Sequence, residues 1–277
     1  MPRKELPRPV LKWAGGKALL TDRILRLLPA EIETYFEPFF GGGAVFFALA
    51  RKGRFRRAVL SDVNPELINM YCAIRDDVEK VMKYLRRMKM SEKDYYEIRA
   101  QKPRSKAEKA ARTIFLNKTG FNGLYRVNSS GEFNVPYGRH VNPLICDEAN
   151  LRAVSDVLAE VELTVNDFEQ CCKAAKAGDA VYLDPPYLPL SDTAYFTSYD
   201  RNPFGLPQHK RLAQVFDDLT RRHVAAVLSN SCTLESNRLY EGHHREYPLV
   251  ARPINSDSKK RGKIKEILVS NSAARSD

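Results

Sequence analysis

The sequence lacks the features of a membrane or exported protein. No apolar run among its 277 residues is long enough to cross a bilayer, and the first residues, MPRKELPRP, contain no signal-peptide core. We therefore expect a cytoplasmic protein, found with the DNA of the nucleoid if nucleic acid is its partner, and we expect no membrane partner.

Cysteine is scarce, and the spacings of a metal site are missing. The chain has five cysteines, none of which forms a CxxC pair, and no histidine lies at zinc-ligand spacing. Such usage is typical of reduced thiols in a cytosolic protein. We predict no bound metal.

Two common nucleotide-binding motifs are also missing. The Gly-Gly-Lys turn at 15–17 lacks the first glycine and the final Ser or Thr of a phosphate-binding P-loop. The glycines at 41–43 do not follow the GxGxxG pattern, which argues against NAD or FAD.

Positive charge, in contrast, is in excess. Lys and Arg number 45 against 34 Asp and Glu, so the formal net charge is +11. This predicts a polyanionic partner, most simply nucleic acid. The alternative is a basic surface that binds nothing. The densest basic run is at 256–265.

One short stretch, AVYLDPPY at 180–187, carries the clearest signal for chemistry. The apolar run 181–183 predicts a strand, and the two prolines after Asp184 end it in a rigid extended turn. Ligands of open α/β sheets bind at such strand ends. The carboxylate and adjacent carbonyls can accept hydrogen bonds from an amino group, while Tyr187 can stack on a flat base. The alternative is a strand followed by an unremarkable proline-rich loop.

Two further strand ends have a related character. The segment YFEPFFGGG at 35–43 predicts a strand, a glycine turn and a helix, in which glycines allow a ligand close to the backbone. The segment RAVLSD at 57–62 predicts a strand ending in Asp62, where a nucleoside-binding sheet places a carboxylate for ribose hydroxyls. The alternative for the glycines is a simple turn. The alternative for Asp62 is a helix-capping or loop residue.

The character changes from residue 65 to about 144, where the pattern is helical and rich in charge. Asn64 and Pro65 are typical of a helix start, and Ser105 with Glu108 predicts a capping box.

The segment 117–140 then predicts a hairpin with arms at 126–128 and 133–135 and a turn at 129–131. It is rich in Asn, Arg, Tyr and Phe, which hydrogen-bond to base edges or stack on bases. The alternative is a solvated hairpin with no special role.

Alternating helices and strands follow. We predict helices at 147–160 and 207–222, and strands at 161–165, 224–229 and 266–271. A loop at 188–204, rich in Ser, Thr, Tyr and Asn, is suited to line a polar groove. A nucleoside pocket without a dinucleotide signature, an amine-binding turn and a basic hairpin together indicate methyl transfer from S-adenosylmethionine to a base amine.

Several segments resemble one known family, the Dam-type (D12 class) DNA adenine N6-methyltransferases. They are LKWAGGK at 11–17, FEPFFGGG at 36–43, SDVN at 61–64, FNGLYRVNSSGEFNVPYGR at 121–139, DPPYLPLS at 184–191 and FTSY at 196–199. These matches span nearly the whole chain and are specific in combination.

The resemblance implies an α/β fold with a Rossmann-like S-adenosylmethionine-dependent methyltransferase sheet. A mainly helical target-recognition domain carrying a β-hairpin would be inserted into it. The implied division places the catalytic and cofactor-binding domain at 1–64 and 147–277, and the target-recognition domain at 65–146. The implied partner is double-stranded DNA, and no obligatory protein partner is evident.

The resemblance also implies roles for individual residues. The catalytic residues would be Asp184, Pro185, Pro186 and Tyr187. Those that bind S-adenosylmethionine would be Trp13, Lys17, Glu37, Phe39, Gly41, Asp62, Asp167, Phe168 and Asp184. Those that recognise DNA would be Lys12, Phe121, Asn122, Leu124, Arg126, Pro136 and His140.

Similarity in the hairpin to GATC-recognising members implies GATC as the target site. Two residues depart from that pattern, because Phe121 and His140 stand where Tyr is expected. An aromatic ring survives at both positions, so we expect stacking to survive, while the lost hydroxyls alter affinity or stringency.

Two alternatives remain. The same turn could serve methylation of cytosine N4, an RNA adenine or a glutamine side chain. A protein of another class, a non-catalytic nucleic-acid-binding protein, could retain the fold, although the intact Asp184, Tyr187 and glycine turn argue against it.

Overall fold

The computed structural model describes residues 5–13, 15–17, 19–189, 204–251 and 263–272. The FTSY segment, most of the predicted polar loop and the basic residues 256–262 lie outside the described residues. No helix in the described ranges is both long and apolar enough to cross a membrane.

The described elements alternate between helices and strands. The helices are α1 (Thr21–Leu27), α2 (Ala44–Arg51), α3 (Pro65–Leu85), α4 (Glu92–Ala100), α5 (Lys106–Thr119), α6 (Glu148–Leu158), α7 (Phe168–Cys172), α8 (Leu206–Arg221) and α9 (Leu234–Leu239), with a 3-10 turn at Phe121–Gly123. The strands are β1 (Ile32–Glu37), β2 (Phe55–Asp62), β3 (Glu162–Val165), β4 (Ala180–Leu183), β5 (Ala225–Ser231), β6 (His244–Glu246), β7 (Leu249–Ala251) and β8 (Lys263–Ser270).

The chain divides into two compact units. The first unit is Met1–Gly16, Gly41–Gly53 and Asp62–Val165, and the second is Lys17–Phe40, Arg54–Ser61 and Asn166–Asp277. The division into catalytic and target-recognition domains drawn from the resemblance stays a prediction.

The first unit is mainly helical, and its helices begin where the sequence predicts. The Asn64 side chain accepts hydrogen bonds from the backbone N–H groups of Glu66 and Leu67, with Pro65 at the first helical position of α3. The Ser105 hydroxyl caps α5 by accepting from the Glu108 N–H. The apolar face of α5 is buried at Ala107, Ala110, Ala111, Ile114 and Phe115.

The predicted hairpin is present, although its arms are too short to form regular strands. The arms meet at a bridge between Val127 and Phe133, and a second bridge joins Gly120 to Tyr137. The Asn128 side chain accepts from the N–H groups of Ser130 and Glu132, which closes the turn. The hairpin therefore depends on side-chain bonds as much as on strand pairing.

The second unit contains a sheet with the strand order β2-β1-β4-β5-β8-β6, and β7 pairs with β8. The first four of these strands are parallel, whereas β8 runs antiparallel to β5 and β6 antiparallel to β8. The order reverses direction between β1 and β4, which is where ligands bind in open α/β sheets. The predicted Rossmann-like fold class is confirmed. The antiparallel β8 and the short elements α7, α9, β6 and β7 were not predicted.

Candidate active site

The DPPY segment, residues 184–187, forms the turn that the sequence predicts, and we call it the catalytic turn. All of β4 is buried between β1 and β5, and the turn begins directly after Leu183. Glu37 ends the neighbouring β1, so two carboxylates lie at the sheet's switch point. The position suits a ligand-binding turn.

A buried ammonium group faces the catalytic turn. Lys17 Nζ lies 2.8 Å from Asp184 Oδ1 and 4.7 Å from the centre of the Tyr187 ring. The Lys17 side chain is 6% exposed and that of Asp184 19% exposed, so both charges are largely withdrawn from water. The ion pair with Lys17 holds the Asp184 carboxylate in one orientation.

A hydroxyl from the next strand reaches the same carboxylate oxygen. Ser229 Oγ, on β5, donates to Asp184 Oδ1 over 2.8 Å, and the buried Tyr182 hydroxyl lies 2.9 Å from Ser229 Oγ. Because Ser229 donates to Asp184, Tyr182 must be the donor to Ser229. Lys17 and Ser229 therefore hold Oδ1, and within the described ranges Oδ2 is the oxygen oriented for another donor.

The Tyr187 ring is held at its hydroxyl end. The hydroxyl donates to Glu266 Oε2 on β8 over 2.6 Å, and Glu266 is itself buried. Burial, together with the nearby carboxylates of Asp184 and Glu266, raises the pKa of Tyr187 far above its usual range. The hydroxyl therefore stays protonated, and the ring cannot swing without breaking this bond.

A buried histidine supports the catalytic turn from α8. His209 is fully buried, and its Nδ1 lies 3.4 Å from Asn230 Nδ2. Burial lowers the pKa of His209 to about 4, although the Pro186 backbone carbonyl, an acceptor, opposes this. Asn230 in turn accepts from the Leu188 N–H, so the chain after the turn is also anchored.

Glu37 lies with the catalytic turn in the same unit. It is buried, and its Oε2 accepts from the Tyr35 hydroxyl over 2.8 Å. Burial and the Glu37 charge raise the pKa of Tyr35 well above its usual value.

Of the other predicted cofactor residues in the second unit, two form an aromatic stack and the third caps a helix. Phe39 and Phe168 stack with their ring centres 5.5 Å apart, and Phe168 is buried. Asp167 caps α7 by accepting from the Glu169 N–H, and its other oxygen is paired with Arg211.

In the first unit, the structure brings Trp13, Gly41 and Asp62 together. A Cβ atom on Gly41 would lie 2.8 Å from Trp13 Cδ1, and the Gly41 φ angle of +48° also favours glycine. Asp62 Oδ2 accepts from the Gly41 N–H, and its Oδ1 accepts from the Asn64 N–H. Asp62 therefore orders the glycine turn, whether or not it also binds a ribose.

Residues 121–140, which the resemblance predicts to read DNA, are called the recognition segment. Phe121 is 50% exposed, unusual for so large an apolar side chain, and Asn122 beside it is exposed with a φ of 54°. Leu124 is half-buried and Pro136 is exposed, while its carbonyl accepts from the Phe121 N–H over 2.9 Å.

Two predicted recognition residues have partners inside the segment or directly before it. The Arg126 guanidinium donates to Asn134 Oδ1 over 2.7 Å and to the Asn134 carbonyl over 3.1 Å. His140 Nε2 lies 3.0 Å from the Gly120 carbonyl, directly before Phe121. Lys12, outside the segment, is exposed and contacts it at Gly123.

Sequence reasoning missed the contacts of Ser229, Glu266 and His209, all of which are buried. Ser229 and Glu266 carried a usable signal, since each is a polar residue beside an apolar strand run. The residues that they contact lie far away in the sequence, so no local pattern predicts these contacts.

Curated relatives cover nearly the whole chain. A type II methyltransferase of Lactococcus lactis, M1.LlaDCHI, is 40% identical over 95% of this chain and 95% of its own. The type II methyltransferase M.MjaIII of Methanocaldococcus jannaschii is 40% identical over 95% of this chain and 99% of its own. The DNA adenine methylase of Escherichia coli K12 is 35% identical over 94% of both chains.

Solved structures add little. The N-methyltransferase NodS of Bradyrhizobium japonicum covers 94% of this chain and 98% of its own at 10% identity and a TM-score of 0.39. A score of this size is too low to support a fold assignment, which rests instead on the strand order.

The family model of the D12 class N6 adenine-specific DNA methyltransferases matches residues 13–252. Together with the relatives, this match confirms the predicted family, enzyme class and methyl donor. The chain therefore belongs to the D12 class N6 adenine-specific DNA methyltransferases, so its substrate is DNA and its methyl donor is S-adenosylmethionine.

Proposed function

We propose that this enzyme methylates adenine N6 in duplex DNA at GATC, after flipping the target adenine out of the helix. One observation carries the catalytic part of the proposal. Among the described residues, the partners that hold the Asp184 carboxylate bind its Oδ1, and Asp184 lies directly before the Pro185 carbonyl and the Tyr187 ring, at the carboxyl end of β4. This arrangement suits a flat base with an exocyclic amino group.

The catalytic turn would act on the amino group by hydrogen bonding. Asp184 Oδ2 and the Pro185 carbonyl accept the two N6 hydrogens, which draws the nitrogen lone pair out of ring conjugation. Tyr187 stacks on the adenine and fixes its plane. As the nitrogen bonds to the methyl carbon, the bond from that carbon to the sulfur of the donor would break, and the sulfur would keep the electron pair and become neutral. The nitrogen would give up one proton, which passes to the Asp184 carboxylate and on to solvent. Positioning and electrostatics supply most of the acceleration.

S-adenosylmethionine supplies a methyl group made electrophilic by its positively charged sulfur. The glycine turn of the first unit fits such a ligand, because Gly41 has no side chain where Trp13 packs and the Asp62 carboxylate is oriented by two backbone N–H groups. We keep Trp13, Gly41 and Asp62 as cofactor residues, and likewise, in the second unit, Lys17, Glu37, Phe39, Asp167, Phe168 and Asp184.

Base flipping breaks one base pair and its stacking, at a cost of a few kcal/mol. The exposed Phe121 ring is a candidate to fill the gap that the adenine leaves. GATC is supported by the similarity of the recognition segment to GATC-reading members. Arg126 would contact a guanine, for which it must exchange at least one of its bonds to Asn134. The cytoplasm, beside the nucleoid, is the proposed location.

The test is methylation of plasmid DNA by the purified protein with labelled cofactor. The plasmid is then digested with two endonucleases that cut at GATC. One is blocked by N6-methyladenine in the site, and the other cuts only when N6-methyladenine is present. We expect complete protection at GATC and label only in N6-methyladenine. Label in N6-methyladenine at other sites would overturn the GATC assignment alone.

Base flipping needs its own measurement. Adenine at the target is replaced by 2-aminopurine, whose fluorescence rises when the base leaves the stack. We expect the enzyme to raise it at the target position, and the same probe placed outside the site is the control. An equal signal at both positions would contradict flipping.

A further inference from the structure

A buried amide connects two separate stretches that are predicted to touch DNA. Asn117, near the end of α5, is 2% exposed. Its Oδ1 accepts from the Lys12 N–H over 2.9 Å, and its Nδ2 donates to the Lys12 carbonyl over 2.8 Å and to the Gly123 carbonyl over 2.9 Å. The side chain therefore binds both backbone groups of Lys12 and the last residue of the 3-10 turn.

The two stretches are also in direct contact. A Cβ atom on Gly123 would lie 2.6 Å from Lys12 Cβ, and the Gly123 φ angle is +64°. Glycine is therefore required for this approach. Asn122 and Leu124 flank Gly123, so a shift between Lys12 and Gly123 would move Lys12 relative to two other predicted base-contacting residues.

We propose that Asn117 is a positioning residue for sequence discrimination, which holds Lys12 in register with residues 122–124. The proposal rests on the proposed reading of DNA by these residues. Asn117 does not need to touch DNA itself. Its buried amide has both the acceptor and the two donors that the clamp uses, whereas Asp in the same position would keep the acceptor and lack both donors.

The chain contains a matched control for this clamp. Asn150 is 3% exposed, and it too accepts from and donates to the backbone of one residue, Arg8, over 2.9 and 3.1 Å. Arg8 is not among the predicted DNA contacts. Asn150→Ala thus removes a similar buried clamp from the same unit without involving Lys12 or residues 122–124.

The experiment compares kcat/KM on duplexes carrying the wild-type enzyme's own preferred site with kcat/KM on every one-base variant of that site. We expect Asn117→Ala to lower the discrimination about tenfold or more, the size of one good base contact. Asn150→Ala should lower the melting temperature similarly yet keep the wild-type discrimination. Unchanged discrimination in Asn117→Ala, or an equal loss in Asn150→Ala, would overturn the proposal.

Two further variants keep the proposal testable if Asn117→Ala fails to fold. Asn117→Asp keeps nearly the same side-chain shape but places a carboxylate against the carbonyls of Lys12 and Gly123. Gly123→Ala adds a methyl group that would clash with the Lys12 side chain. Both should relax discrimination, and full discrimination in either would count against the clamp. Since the preferred site is taken from the wild-type enzyme, a target other than GATC would contradict the proposed function without affecting this test.

Discussion

The catalytic turn and the recognition segment are held in place by different kinds of contact. Around Asp184 and Tyr187, the contacts run between side chains: the buried Lys17 ammonium, and a hydroxyl and a carboxylate buried on the neighbouring strands β5 and β8. Around residues 121–140, many of the contacts fix the backbone instead. The Tyr95 hydroxyl donates to the Val135 carbonyl, and Asn117 holds Gly123.

The difference follows from what each region has to do. A catalytic group must have one orientation before the substrate arrives, so its side chain itself needs fixed partners. A residue that reads bases must exchange its own contacts for those of DNA. Its backbone can be fixed, while its side chain must stay accessible, as it does at Phe121 and Lys12.

The largest effect is expected at the catalytic turn. Asp184→Ala should lower methyl transfer about 100-fold or more, because it removes the acceptor that activates the amino group. The measurement is label incorporation into duplex DNA at saturating cofactor. Glu31→Ala, which removes an exposed carboxylate from the same unit, is the control and should match the wild type. Asp184→Ala retaining more than a few per cent of activity would contradict this role.

The next effect is a change in discrimination rather than in rate. Arg126→Ala should lose ~1–3 kcal/mol of preference at one base pair while changing activity on the best site less. Arg126→Lys keeps the charge but not the fork of donors. We therefore expect the kcat/KM values of Arg126→Lys to show the same loss of preference at that base pair as those of Arg126→Ala. Rescue by Lys, or an equal loss on all sequences, would indicate a phosphate contact.

The next prediction concerns the pH dependence of folding stability that arises from the buried His209. The pKa of His209 is about 4 when folded and 6.5 when unfolded, so the folded state favours the neutral ring. This contribution to stability is complete above pH 6.5 and is lost as the pH falls towards 4. We expect about 2 kcal/mol less stability at pH 5 than at pH 7.5 from this group. Urea unfolding of wild type and His209→Gln at both pH values measures it, and identical pH slopes would contradict it.

The smallest effect concerns the support of Asp184. Ser229→Ala should lower kcat about tenfold with KM little changed, because the hydrogen bond to the charged oxygen is lost. Tyr182→Phe keeps the bond from Ser229 to Asp184 and removes the hydroxyl that donates to Ser229. We expect this variant to lose about as much stability as Ser229→Ala but less kcat. If Tyr182→Phe loses as much kcat as Ser229→Ala, packing rather than orientation is responsible.

Prediction from sequence succeeded where short segments carry their own signal. The prolines after Asp184 stop β4, Asn64 and Ser105 cap their helices, and the Asn128 turn closes the hairpin. It failed for the short α7 and β6, and for the direction of β8. Few residues define these elements, and packing decides them.

The sequence by itself determined which reactive and ligand-binding groups stand at the turns and helix starts. It did so because proline, glycine and capping residues restrict the backbone within a few positions of themselves. Only the tertiary structure decided which side chains meet. Antiparallel pairing of β8 with β5 sets Glu266 opposite Ser231 and so brings its carboxylate to Tyr187, and folding likewise brings Lys17 to Asp184. Strand register is selected by burial across a whole sheet, and no local preference contains that information.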